Sequence, residues 1–147
     1  MNNQTIKKAG EIIQNNTVHY GPEGPEPYNV LALIDEKGYP TASTITASKA
    51  DGINWITFCT GLECNKAKRI AKCNRASVCF NKDGAYNITL VGTIEVVTDP
   101  AVKQEMWYDG MGELFSGPDA PEYCVLRFKT ERYNLFVDWQ EAVGTIE

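Results

Sequence analysis

The sequence predicts a mainly β fold, a small antiparallel barrel of six or seven strands decorated by two or three short helices. Three observations lead there. From Tyr28 onward, short runs rich in β-branched and aromatic residues alternate with tight Gly, Pro, Asn and Asp turns, which makes an antiparallel meander. One long run holds a glycine in its middle, Gly92, and such a glycine marks a bulge or sharp bend, as at a barrel corner. Finally, 147 residues with 43% apolar content, seven Tyr, five Phe and three Trp suffice for one domain with its own core, without disulfides or metal.

The elements follow in order. Ile6, Ala9, Ile12 and Ile13 recur at helical spacing with Lys7, Lys8 and Glu11 between them, so residues 3–15 form an amphipathic helix. GPEGPEP at 21–27 ends it, because its three prolines and two glycines forbid both helix and ladder. Residues 1–27 are therefore a lead-in to the domain, which spans 1–147 as a single unit. YNVLALID, TASTITASK and INWITFC are three strands joined by EKGYP and ADG. TGLECNKAKRIAKCN interrupts the meander with a helix of about two turns, N-capped by Asn65, with Asn74 suited to the left-handed position at its end. ASVCF and AYNITLVGTIEVV are strands around an NKDG turn. A further helix starts with Asp99 as N-cap and Pro100 at the first helical position. GELFSGPDAP is a loop, and EYCVLRFKT and RYNLFVDW are two closing strands.

Composition excludes some functions. A net charge of −5 argues against nucleic-acid or anionic-membrane binding, which draws on a basic face. No run approaches the roughly 18 apolar residues of a membrane span, and the first residues lack the apolar centre of a signal peptide, so a cytoplasmic location is expected. Cys59, Cys64, Cys73, Cys79 and Cys124 are odd in number and contain no close C-x-x-C pair, which reads as reduced thiols.

The stretch from Thr60 to Cys73, TGLECNKAKRIAKC, is the densest in chemistry. Its cysteines follow a C-x4-C-x8-C-x5-C pattern with Cys59 and Cys79, and zinc sites normally start from two cysteines two to four residues apart, so no metal is expected. Cys59 and Cys79 sit among Ile56, Phe58, Val78 and Phe80, where a thiol serves as a small buried hydrophobe. Cys64 differs, since a cysteine at a helix start beside Lys66 is a candidate low-pKa thiol as well as a structural one. Lys66 and Lys68 fall in the first helical turn, where the dipole disfavours cations. Either an anion such as phosphate bridges Thr60, the free N–H groups and Lys66, or the lysines form a solvated face.

The order of a P-T-A-S strand, a W-x-x-F-x-T strand, a T-x5-K helix start and a strand–Gly–strand segment resembles the FMN-binding split barrel of the pyridoxamine 5′-phosphate oxidase-like superfamily, in its short general-stress-protein-like branch. The resemblance covers about Asn29 to Thr98, and FSGPDAPEYCVLRFKTERYNLFVDW is similar to late segments of that branch. It implies FMN as cofactor. Ser43, Thr44, Ile45 and Thr46 in the second strand would run along the isoalloxazine, Cys59 and Thr60 would end the next strand with Thr60 toward the phosphate, and Cys64, Asn65 and Lys66 match the family's phosphate-binding S-R-K. Asn87, five residues before Gly92, takes the place of a flavin-contacting Gln. Two arginines of the oxidases are absent, at Ser43 and Asn65, each worth about 1.5–3 kcal/mol as a charged hydrogen bond. The Arg and His that hold pyridoxal phosphate have no counterpart either, so vitamin B6 oxidation is not expected.

The resemblance also implies a homodimer with flavin in grooves at the subunit interface. Trp107, Tyr108, Phe115 and Trp139 could cover the partner's groove or simply pack a core, and Trp139 is the candidate contact to the other subunit's flavin. His19, the only histidine, is expected at the surface and leaves no Ser–His or Cys–His pair, so no catalytic side chain is assigned. The functional expectation is an FMN-dependent oxidoreductase acting on a small molecule, with NAD(P)H or another reductant. The alternative is a non-catalytic flavin sensor or stress protein of the same fold, and haem handling stands behind both.

Overall fold

The computed structural model of the chain describes residues 2–19 and 29–146. The GPEGPEP segment lies outside the described residues. The first helix, α1, spans Asn2–Asn15. Eight strands follow: β1 Asn29–Ile34, β2 Pro40–Ile45, β3 Ala47–Asp51, β4 Trp55–Gly61, β5 Arg75–Lys82, β6 Tyr86–Val97, β7 Tyr123–Val137 and β8 Gln140–Thr145. Helix α2, Asn65–Lys72, lies between β4 and β5, and α3, Pro100–Met106, follows β6. A single 3-10 turn at Met111–Glu113 opens the loop before β7.

All strand pairs are antiparallel, in the order β2-β1-β5-β6-β7-β4-β3, with β8 added to β7. The two ends of this path, β2 and β3, are consecutive in sequence with only Thr46 between them. The sheet is thus curled until the chain itself joins its ends, which is the predicted split barrel. TASTITASK reads as one strand by pattern, but it exchanges its partner at Thr46, pairing with β1 before it and β4 after it.

The last strands differ from expectation in the other direction. EYCVLRFKT and RYNLFVDW are one fifteen-residue strand, β7, that pairs with β6 along its length, with β4 over its first half and with β8 over its second. Strand β8, absent from the sequence reading, returns through a turn at Asp138 and Trp139, both at positive φ. The bend expected at Gly92 is present, as the β6–β7 register shifts between Val91 and Gly92. A Cβ there would collide with the Lys129 carbonyl oxygen.

The barrel interior is filled from alternate strand positions. Leu31, Ile56, Phe58, Ile88, Leu90, Leu126, Phe128 and Leu135 are all fully buried, and α1 adds Ala9 and Ile13 across one opening. Each large side chain so removed from water contributes about 1.5–3 kcal/mol before ordering costs. A second apolar cluster forms outside the barrel, where Met106 of α3, Met111, Phe115 and Trp107 pack on Tyr123 and Val125 of β7. Trp107 and Phe115 reach the Tyr123 ring at 5.3 and 5.6 Å between centroids. Of the four aromatics singled out in the sequence, Trp107, Tyr108 and Phe115 therefore cover this chain's own sheet, while Trp139 is 81% exposed.

Candidate functional site

Strand β2 has β1 on one side, and among the described residues no strand pairs with its other edge. The opposite end of the path is treated differently. Thr17 bridges Ala47, and the N–H groups of Val18 and His19 donate to the carbonyls of Ala47 and Ser48, so the segment after α1 covers β3. The β2 edge keeps a bare row of backbone donors and acceptors among the described residues, as does the outer edge of β8, which pairs with β7 alone. Ala42, Ser43 and Thr44 there are exposed, and Ile45 and Thr46 half-buried.

Helix α2 packs against β1 and β6 and reaches β2 through Arg69. Its N-cap is Cys64, one residue before the Asn65 expected from sequence, and the Cys64 sulfur accepts from the Ala67 N–H at 3.5 Å. A thiol in this position takes the part usually given to a Ser hydroxyl, so the chain can use Asn65 as its first helical residue. The helix ends at Cys73 in an extended conformation rather than with Asn74 left-handed. The Cys64 sulfur also lies 3.3 Å from the Thr60 hydroxyl at the end of β4. Burial opposes ionisation of Cys64, but the Thr60 hydroxyl, the Ala67 and Lys66 N–H groups and the Lys66 charge outweigh it and hold the thiol below the usual cysteine range.

One turn on, Arg69 reaches from α2 to β2, where its Nη1 donates to Thr41 Oγ1 at 3.2 Å. Its Nε is buried without a hydrogen bond, with the Glu36 carboxylate at 3.6 Å. This guanidinium faces a cleft of about 240 Å³ lined by Asn65, Lys68, Arg69 and Lys72 on one side and by Ile34, Asp35 and Glu36 on the other. A buried donor without a hydrogen bond beside two lysines fits an anion such as phosphate, which would compete with the Glu36 carboxylate for Arg69. Thr41 was missed from sequence, although it shares a strand face with Ser43 two positions on.

The remaining expected residues lie elsewhere. Asn87 is the second residue of β6 and pairs with Phe136 of β7, and Phe136 meets Trp139 edge-on at 5.7 Å. Cys79 donates its S–H to Asn87 Oδ1 at 3.5 Å. These groups sit on the outer sheet face. Val97, beside the Thr60 end of the barrel, is ten steps along β6 from Asn87, which is roughly 33 Å along an unbent strand at about 3.3 Å per residue.

Cys59 and Cys79 are half-buried on outward-facing positions rather than the fully buried small hydrophobes expected. Cys59 lies 3.5 Å from the Tyr123 hydroxyl and 3.4 Å from the Met106 carbonyl oxygen, and its thiol is pushed up by burial. Burial and the neighbouring Cys59 raise the Tyr123 hydroxyl further, so Tyr123 stays neutral and donates to the Lys103 carbonyl at 2.8 Å. His19 is exposed, with Nε2 at 3.3 Å from the Met106 carbonyl oxygen. Among the described residues no three His, Cys, Asp or Glu side chains converge as a metal set, and no helix is long and apolar enough to cross a membrane.

Comparison with known proteins gives the same architecture. A protein from Clostridium acetobutylicum related to general stress protein 26, of the pyridoxinephosphate oxidase family, is 25% identical, with a TM-score of 0.77 over 99% of this chain and 96% of that one. An FMN-binding protein from Nostoc punctiforme related to pyridoxamine 5′-phosphate oxidase shares 14% identity at a TM-score of 0.57, covering 82% of this chain and 86% of its own. A heme-binding protein from Mycobacterium smegmatis shares 19% at 0.71, covering 96% of this chain and 57% of its own. No curated protein matches. The pyridoxamine 5′-phosphate oxidase family model matches residues 25–136, well over half the sequence, and the chain belongs to that family.

Proposed function

We propose that this protein binds FMN and acts as a cytoplasmic flavin-dependent oxidoreductase on a small molecule other than pyridoxamine phosphate. The observation that carries the reading is the Arg69 guanidinium, bonded to Thr41 of β2 and with its Nε lacking a hydrogen bond, in a cleft that Lys68 and Lys72 share with Asp35 and Glu36. Bound there, FMN would supply the hydride and electron chemistry. The chain would hold and orient it. Lys66, Arg69 and the start of α2 would take the phosphate, and backbone groups of Ser43, Thr44, Ile45 and Thr46 would face the polar edge of the ring. Arg69 offers the cation that Ser43 and Asn65 do not. The FMN-binding relative from Nostoc punctiforme supports the choice of ligand.

Asn87, near the start of β6, and Trp139, in the turn between β7 and β8, lie at the opposite ends of those strands from the end that leads through Thr60 to Lys66. A second copy could bring them to a flavin seated at Lys66, so the reading includes a homodimer with each flavin between subunits. In this arrangement Asn87 and Trp139 serve the partner's flavin.

An absorption spectrum of purified protein and an FMN titration test the reading. Flavin bands, or quenching of FMN fluorescence at micromolar protein, are expected. Lys66→Ala should weaken FMN binding about tenfold through loss of one charged hydrogen bond. Colourless protein that leaves FMN fluorescence unchanged at tens of micromolar would falsify the proposal. The missing phosphate arginines favour one rival, a flavin holder without turnover. Failure of NADPH or NADH to reduce bound flavin would select that rival.

A further inference from the structure

Thr60 and Cys124 are direct partners in the β4–β7 ladder. Their side chains point to the barrel interior, like Phe58 and Leu126 two positions away along the same strands, which are both fully buried. Cross-strand partners hold their Cβ atoms roughly 4.5–5.5 Å apart. The Cys64 sulfur lies 3.3 Å from the Thr60 hydroxyl, so one hydroxyl touches the first thiol and stands across the ladder from the second. Cys59 belongs to the other face of β4, among Met106 and Tyr123.

The two thiols are unequal. Cys64 is half-exposed at the start of α2, with two N–H groups and the Lys66 ammonium favouring its thiolate. Cys124 is fully buried. Burial, then charge on Cys64, pushes its thiol up to about 11, so it remains protonated beside a neighbour inclined to ionise. An exposed thiolate attacks a peroxide, whereas a buried protonated thiol waits for an electrophilic sulfur.

We infer that Cys64 is a site of oxidation by hydroperoxides and that Cys124 is its resolving thiol. In the first step the Cys64 thiolate attacks one peroxide oxygen. The O–O bond breaks, hydroxide or alkoxide leaves and takes up a proton from water, and Cys64 becomes a sulfenic acid, a two-electron oxidation of sulfur. In the second step the Cys124 sulfur attacks Cys64. The S–O bond breaks, the Cys124 proton leaves with the hydroxyl as water, and a Cys64–Cys124 disulfide forms. A dithiol restores both thiols. Where disulfides form in reducing compartments they are usually transient and sensing, which this reversible pair fits.

The disulfide would take the Cys64 sulfur from the Ala67 N–H and turn it from Lys66, disturbing the start of α2. On the flavin reading above, oxidised protein should bind FMN at least tenfold more weakly than reduced protein.

The test uses reduced, desalted full-length protein exposed to hydrogen peroxide, alkylated without reductant, digested and analysed by mass spectrometry. A peptide pair joined through Cys64 and Cys124, and released by dithiothreitol, is expected. In Cys124→Ser, or Cys124→Ala if the serine disturbs folding by circular dichroism, dimedone should trap the sulfenic acid on Cys64. Cys64→Ser should leave Cys124 alkylated as a free thiol. A link through Cys59, or even oxidation of all five cysteines with no Cys64–Cys124 link, overturns the proposal. Formation of the link in protein that has no affinity for FMN removes the flavin reading and supports the thiol pair.

Discussion

Cys64 occupies a place that helix starts usually give to Ser, Thr, Asp or Asn. Its sulfur is a weak acceptor at 3.5 Å, so Cys64→Ser should raise stability by about 0.5 kcal/mol, whereas Cys64→Ala should cost about 1 kcal/mol. Urea unfolding at neutral pH measures both. The pH dependence follows from the depressed thiol. A group whose folded pKa lies below its unfolded value contributes stability present above the unfolded pKa and lost as pH falls through the folded one. The stability difference between wild-type protein and Cys64→Ser should therefore grow in favour of wild type as pH rises toward the usual cysteine value of 9.0, while the raised thiols of Cys59 and Cys124 lower the stability of both proteins over that range. The chemistry of this residue was legible in the sequence as a thiol near a helix start with Lys66 two positions on. Its role as the cap was not, because Asn65 is the better cap by type and only the geometry of the turn leaving β4 decides between them. Arg69 was similarly half-legible. It reads as a harmless cation in the last turn, and its bond to Thr41 depends on how α2 lies against β2.

The long strands β6 and β7 carry the curl of the sheet, and Gly92 is where they come closest. A Cβ at this position would strike the Lys129 carbonyl oxygen and come within 3.0 Å of the Glu131 N–H, both of them backbone that cannot rotate away. Gly92→Ala should destabilise by about 2–3 kcal/mol, lowering Tm by roughly 5–10 °C in a thermal scan. Unchanged Tm would mean that the bulge can open without loss of the ladder. The glycine and its bulge were evident from sequence, because a lone Gly weakens a β-rich run unless a bulge or a close backbone approach requires it. The opposite half of the same bend was misread. Residues 129–132 hold Lys, Thr, Glu and Arg, a polar stretch that resembles a turn. In the fold all but Thr130 are exposed, because β7 changes neighbours there from β4 to β8. The break at Thr46 was invisible for the same reason: a strand that switches partner has no local signature, since the pattern of its side chains does not change.

Most of the strands and their closure into a barrel could be read from the sequence, but the surfaces that this closure leaves open could not. Those surfaces are unequal. The face over β4 and β7 is covered by α3 and the aromatic loop, and the β3 edge by residues 16–19. Among the described residues the outer face of β2, β1, β5 and β6 has no such cover, and its centre is small or apolar with Arg75 at one margin: Val30, Ala32 and Ile34 are half-buried, and a shallow depression of about 230 Å³ runs over Ala32, Ile34, Pro40, Ser77 and Val91 beside Arg75. Trp139 stands exposed near its margin beside Phe136. A face of this kind next to an open strand edge is suited to a second copy of the chain, and small side chains allow two sheets to approach closely. Ala32 lies at its centre, paired to Ala42 on one side and Ser77 on the other. Ala32→Arg would place a guanidinium where two such faces meet, while on the free protomer the side chain can extend into solvent. Light scattering behind size exclusion should give a dimer for the unaltered protein and a monomer for Ala32→Arg, with the circular dichroism spectrum preserved. FMN affinity should fall together with the dimer, because Asn87 and Trp139 would no longer reach the partner's flavin. A wild-type protein that is monomeric at tens of micromolar, and yet binds FMN, would place both residues outside the flavin site.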